Sequence, residues 1–422
     1  MDYSVKDLES YCKKIEEVGK KFELSFYPQE FEAIDYNDMM AYQVYIGMPS
    51  MYPHWSFGKA YERIKALYNL NLTGLPYEMV INSDPTIAYL LKDNTLLLQI
   101  LTMAHVYGHN DFFKNNRLFS VGTKPIYTIE MFKRHGDIIR EYVDSPGIGY
   151  EKVEKILDAA HSIKLQRERT VGVKTLEPEI GKPCEDILSF VNKFGELETW
   201  QKNIISIVRE ETAYFIPQIE TKIINEGWAS LWHYKILKKL DLPDPLYIEF
   251  IKRHNQVVAK GNKGSINPYN LGFNMFLDIE KRYGTEKIFE ARLLERDESF
   301  IRKYITLELA QELGIFQYKE KNSDILVEAV ADEDNFEKIK ATLLSTCGMN
   351  SVPIIKVVDV LKKDKTMYLE HSYDGRELNA NYAEQTLKNI VNLWGHSAEL
   401  KTIINEKELI INCDENGRVK YC

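Results

Sequence analysis

The hydrophobic pattern changes character once along the chain. Up to about residue 313, apolar positions recur at steps of three and four, as in helices that bury one face. This spacing predicts helices over 5–22, 29–46, 57–69, 94–115, 126–143, 148–164, 198–240 in two or more pieces, 245–259 and 298–313. One early run, 77–82, reads as a strand closed by Ser83-Asp84-Pro85. After Gly314 the period shortens. Strands are expected at 325–330, at 353–361 and 366–372 as a hairpin, and at 408–413 and 418–422, with helices at 334–344 and 384–394. The expected architecture is a mainly α N-terminal domain, 1–313, followed by a small α+β C-terminal domain, 320–422, with the boundary near 314–323.

Composition narrows the classes. The 422 residues are 44% hydrophobic and 28% charged, which is ordinary for a globular chain with a sizeable core. Net charge is −9, and no basic block stands out to neutralise phosphates, so nucleic acid is not an expected partner. No apolar run approaches the roughly 18–20 residues of a membrane span. The N-terminal segment is a charged amphipathic helix and not a signal peptide. Cysteines 12, 184, 347, 413 and 422 are scattered without CxxC spacing, which reads as reduced thiols in a cytoplasmic protein.

Chemistry concentrates in two segments. The first, MAHVYGHNDFF (103–113), places His105 and His109 one helical turn apart on a face that also carries Leu98, Leu101, Thr102 and Phe112. Two buried imidazoles need partners, because an unbonded polar group in a core costs about 1–3 kcal/mol. A divalent cation gripped by the pair answers that need, and so do backbone carbonyls and carboxylates. The second segment, 200–233, carries a polar stripe of Glu211, Gln218, Lys222, Glu226 and His233 among bulky Tyr214, Trp228 and Trp232. Asn225-Glu226 resembles the second helix of thermolysin-type zinc peptidases, where such a pair supplies the third ligand to a helix bearing HExxH. That resemblance extends to zincin-like helices beside a small edge sheet, for which 77–82 is the candidate edge strand. Here the first helix reads HVYGH, with Val106 at the position of the catalytic Glu.

The metal ligands expected on this reading are His105, His109 and Glu226, with zinc as the favoured ion. Glu226 and His233 stand seven residues apart, ~10.5 Å along a helix, so both reach one ion only if the helix deforms, with Gly227 the candidate point. His233 is therefore expected beside the ligands or at the substrate. Glu211, Glu210 or His233 is the expected general base. Gln218 and Lys222 on the stripe, His54, Trp55 and Lys59 in YPHWSFGK, and Asn267 and Tyr269 in NPYNLGF are candidate substrate contacts.

GMPSMYPHWSFGK, YEMVINSDP, MAHVYGHNDFFKNN, the 200–233 segment and NPYNLGF, in this order and spacing, resemble the stage V sporulation protein R (SpoVR) family over nearly the whole chain. The resemblance implies a cytoplasmic bacterial protein. In spore formers it implies a role in building the spore cortex, a modified peptidoglycan. In other bacteria it implies association with a serine-kinase-like ATPase and a von Willebrand-type partner. No settled activity comes with the family, so two readings follow. One is a metal-dependent hydrolase or amide-bond-handling enzyme acting on a peptidoglycan precursor or peptide. The other is a non-catalytic scaffold or regulator of cortex assembly whose His/Glu cluster is structural.

Overall fold

The computed structural model describes residues 3–69, 78–169, 177–261, 265–321 and 324–422. It is mostly helical, with a helical N-terminal region and a small sheet with a helix at the C-terminal end. Packing gathers the chain into two compact units, each built from separated segments. The first comprises 1–49, 56–131 and 217–350, and the second 50–55, 132–216 and 351–422. These units cut across the change of periodicity at Gly314, which lies inside the first.

The first unit is organised around Leu96–Asn115. Thr95 caps this helix by accepting the Leu98 N–H, and every residue from Leu97 to Phe113 is buried. A helix apolar all round is a core helix, which is why its few polar groups carry so much information. It packs on Lys222–Leu237, and the two backbones come close at Gly108, where an added Cβ would lie 2.6 Å from the Ala229 Cα. Lys222–Leu237 in turn crosses Pro268–Tyr283 where Gly227 faces Gly272, and a Cβ on Gly227 would meet the Gly272 backbone at 2.3 Å. Gly227 therefore serves close helix packing, and Lys222–Leu237 runs through it as one helix. Trp228, Trp232, Phe276 and Phe300 fill the core around these crossings. Beside them lies a three-stranded sheet in which Thr86–Leu91 is central, parallel to Gln29–Ile34 and antiparallel to Glu78–Ile81.

In the second unit five strands lie in the order Val419–Tyr421, Lys407–Cys413, Ala398–Ile404, Met367–His371, Ile355–Val360. Helix Ala380–Trp394 connects the parallel pair Met367–His371 and Ala398–Ile404 and buries Leu387, Ile390, Val391 and Trp394.

Several expectations need correction. Residues 29–46 form strand Gln29–Ile34 and helix Tyr36–Val44 instead of one helix. Asp35 separates them, its carboxylate accepting the N–H groups of Asn37 and Asp38. The helix expected at 298–313 is two, Asp297–Tyr304 and Leu307–Leu313, the second capped by Thr306. Strands Thr86–Leu91 and Ala398–Ile404 and helices Ile187–Phe194 and Thr285–Leu294 were not expected. Of the early strand, Glu78–Ile81 is formed, while Tyr77 lies outside the described residues. All five cysteines are free, and no described helix is long and apolar enough to cross a membrane.

Candidate metal centre

His105 and His109 project from the buried face of Leu96–Asn115 toward Glu226 on Lys222–Leu237. The Glu226 Oε2 lies 3.4 Å from His105 Nε2 and 3.5 Å from His109 Nε2. Glu78, on the edge strand Glu78–Ile81, completes the group: its carboxylate and ligand atoms of the two histidines all lie within 4.8 Å of one another.

The outer side of each ring is held. His109 Nδ1 bonds to Asn225 Oδ1 at 2.9 Å; the amide oxygen accepts, so the ring carries its proton on Nδ1 and leaves an Nε2 lone pair on the Glu226 side. His105 Nδ1 lies 2.9 Å from His233 Nδ1, and His233 Nε2 lies 2.8 Å from His254 Nδ1. Three imidazoles thus form one chain. Glu226 and His233, seven residues apart, are both reached because they address opposite nitrogens of the same His105 ring, without any deformation at Gly227. His254 was not anticipated from the sequence.

Electrostatics follow from this geometry. Burial acts to raise the Glu226 carboxyl, but the two imidazoles beside it, His105 and His109, hold it well below the usual carboxylate range. Burial acts to lower His109, yet Glu226 more than offsets it, and the imidazole sits above its ordinary value. Burial, with Glu226 adding, raises Glu78. Burial and His105 bring His254 down to about 4, and His233 lies well below its ordinary value for the same two reasons. The charge of Glu226, with burial, pushes the Tyr269 phenol up.

The donor set fits a divalent cation. His105 Nε2 and Glu226 Oε2 are both buried without a hydrogen-bond partner, 3.4 Å apart. Two ligand atoms each ~2.1 Å from a tetrahedral ion stand ~3.4 Å apart. The two Glu226–imidazole separations match that edge.

The group lies in the wall of a cavity of about 810 Å³ lined by Gln43, Glu78, Val80, Leu101, Thr102, His105, His109, Phe113, Gln218, Lys222, Asn225, Glu226, His233, Val257, Asn267 and Tyr269. Of the residues singled out from the sequence, His105, His109, Glu226, His233, Gln218, Lys222, Asn267 and Tyr269 meet there. His54, Trp55, Glu210 and Glu211 belong to the second unit. There His54 and Trp55 bond to Asp158, and Glu210 and Glu211 flank His135 at 3.4 and 3.2 Å. Lys59 is exposed and does not line the cavity. The stripe divides because Glu211 stands ~10.5 Å from Gln218 along Thr199–Glu220, the helix that carries both. Glu78, Gln43 and Asn225 were missed as site residues. Glu78 had one signal, its place in the expected edge strand.

A family model described as SpoVR like protein matches residues 2–180 and 166–352, and one described as SpoVR-like C-terminal domain matches 353–405. The chain belongs to the SpoVR family. The first model spans every residue lining the SpoVR cavity, from Gln43 to Tyr269. A curated SpoVR-type relative, the Uncharacterized protein YcgB of Escherichia coli (strain K12), is 31% identical over 473 aligned positions, covering 95% of this chain and 92% of that protein. No solved structure matches.

Proposed function

We propose that this SpoVR protein is a metal-dependent enzyme that hydrolyses an amide bond, with His105, His109 and Glu226 holding the ion and Glu78 acting as the proton acceptor that Val106 is not. The observation that carries this reading is the pair of buried, hydrogen-bond-free atoms, His105 Nε2 and Glu226 Oε2, at tetrahedral-edge separation in the wall of an open cavity. A structural metal site is closed by four protein ligands, whereas a catalytic one keeps a position open to the solvent or substrate. The mixed imidazole and carboxylate donors suit zinc.

When bound, such an ion polarises a carbonyl and makes water a better nucleophile at neutral pH. The chain's own groups do the rest. Asn225 holds the His109 ring with Nε2 toward Glu226, and His233 does the same for His105. Glu78, raised by burial and by Glu226, is placed to take a proton and return it to the leaving nitrogen. Work on a peptidoglycan precursor during cortex formation is the process that family membership suggests.

Zinc titration of protein purified without a metal-affinity column tests the reading. Wild type should take up one equivalent, and His105→Ala and Glu226→Gln should take up none while remaining folded. Equal uptake by all three would remove the proposal and favour a scaffold.

A further inference from the structure

The polar groups lining the cavity fall into two sets. Asn225 is engaged with His109. Asn267 is fully engaged: its amide donates to Val257 O and Ala259 O at 2.9 and 2.8 Å, and its Oδ1 accepts from Tyr269 N. The other set has no such employment. Gln43 Oε1 is buried without a hydrogen-bond partner. The side chains of Gln218 and Lys222 make no hydrogen bond or ion pair among the described residues. Asp297, which lies within the field of the Lys222 ammonium, has its oxygens occupied by the N–H groups of Ile223 and Ile224 at 3.0 and 2.9 Å.

Spacing gives these groups a meaning. Lys222 stands four residues before Glu226, one helical turn away and ~6 Å along the axis. A residue of extended peptide spans ~3.3–3.6 Å. An amide carbonyl near Glu226 and the two imidazoles therefore puts a carboxylate one to two residues further along within reach of the Lys222 ammonium. Carboxamides such as Gln43 and Gln218 both donate and accept, which is the complement of a peptide amide.

Resting on the metal-enzyme reading, we propose that the substrate is a peptide-like amide with a free carboxylate one or two residues beyond the bond that is cut. Lys222 reads the carboxylate, and Gln43 and Gln218 read the flanking amides. The reaction consumes one water: the acyl carbon gains its oxygen, the C–N bond breaks, and the nitrogen leaves with the proton. The products are a carboxylic acid and an amine that still bears the distal carboxylate.

The test is binding of two probes to the zinc-loaded full chain, mercaptoacetyl-alanine and its carboxamide, measured by calorimetry. Both present a thiol to the ion, and only the first has a free carboxylate. Wild type should prefer the acid by about 10- to 100-fold, the effect of one charge-assisted contact. Lys222→Ala should erase that preference by weakening the acid alone, with zinc stoichiometry unchanged, and Lys222→Arg should keep most of it. No preference in wild type, or a preference that survives Lys222→Ala, overturns the substrate assignment while leaving the metal reading in place. A chain that takes up no zinc overturns the metal reading, and the substrate assignment with it.

Discussion

Gly108 lies between the two histidines, where their helix comes close to the one carrying Glu226. Replacing it with Ala puts a Cβ 2.6 Å from the Ala229 Cα, a backbone atom that no side-chain rotation removes. Carbon atoms settle at about 3.5–4.0 Å, so the helices must part by about 1 Å. The Glu226–imidazole separations, 3.4 and 3.5 Å, then stretch past the ~3.4 Å tetrahedral edge. Overpacking costs about 1–3 kcal/mol, and the better helix propensity of Ala returns about 1 kcal/mol. The net loss of stability is therefore small, about 0–2 kcal/mol, while zinc affinity should fall at least ~10–100-fold, the loss seen when the groups that orient a metal's ligands are removed. Chelator-competition titration and urea melts of the metal-free protein read the two quantities separately. Gly58→Ala is the control: its Cβ meets nothing within 4 Å, so it should leave zinc affinity alone and add about 0.5–1 kcal/mol of stability. Zinc affinity within about twofold of wild type in Gly108→Ala would refute the argument that this helix contact sets the site.

Three further outcomes follow. His254→Gln and His233→Gln should each lower zinc affinity by ~10–100-fold, and histidine ¹⁵N spectra should show His105 settling with its proton on Nδ1 when zinc is added; an unchanged affinity would break the chain's assigned role. In the metal-free protein the raised His109 stabilises below its ordinary pKa of ~6.5 and loses that contribution as pH rises through its folded pKa, while the depressed Glu226 contributes above ~4.3 and is lost as pH falls through its own. Metal-free stability should thus decline as pH rises past ~6.5 while zinc affinity increases; parallel trends would contradict the pairing. If the change of periodicity near Gly314 marks a proteolytic boundary, limited trypsin digestion should cut first within 314–323, and first cleavage elsewhere would place that boundary wrongly.

Leu96–Asn115 and Lys222–Leu237 were legible in the sequence because long, largely apolar runs without an internal Pro report a buried helix directly. The strand Gln29–Ile34 was not, because Gln-Glu-Phe-Glu-Ala-Ile sits next to helical residues and only Asp35 marks the break. The two histidines could be paired from their spacing, and Glu226 was joined to them through the resemblance of Asn225-Glu226 to the second helix of thermolysin-type zinc peptidases. Glu78 could not, since its role depends on an edge strand reaching the histidine helix, a tertiary relation. Glu211 misled for the converse reason. It continues the stripe in sequence, but it stands two turns before Gln218 on the same helix and pairs with His135. Gly227 was read as a weak point in its helix, whereas it is the contact that lets Gly272 come close.

The most direct test of the central claim is X-ray absorption at the zinc edge on protein loaded with one equivalent of zinc, compared with His105→Ala. The account predicts one ion per chain bound by nitrogen and oxygen at ~2.0–2.2 Å, with the multiple-scattering signature of two imidazoles, and no ordered signal in the variant. A sulfur shell, or a spectrum that His105→Ala leaves unchanged, would contradict it.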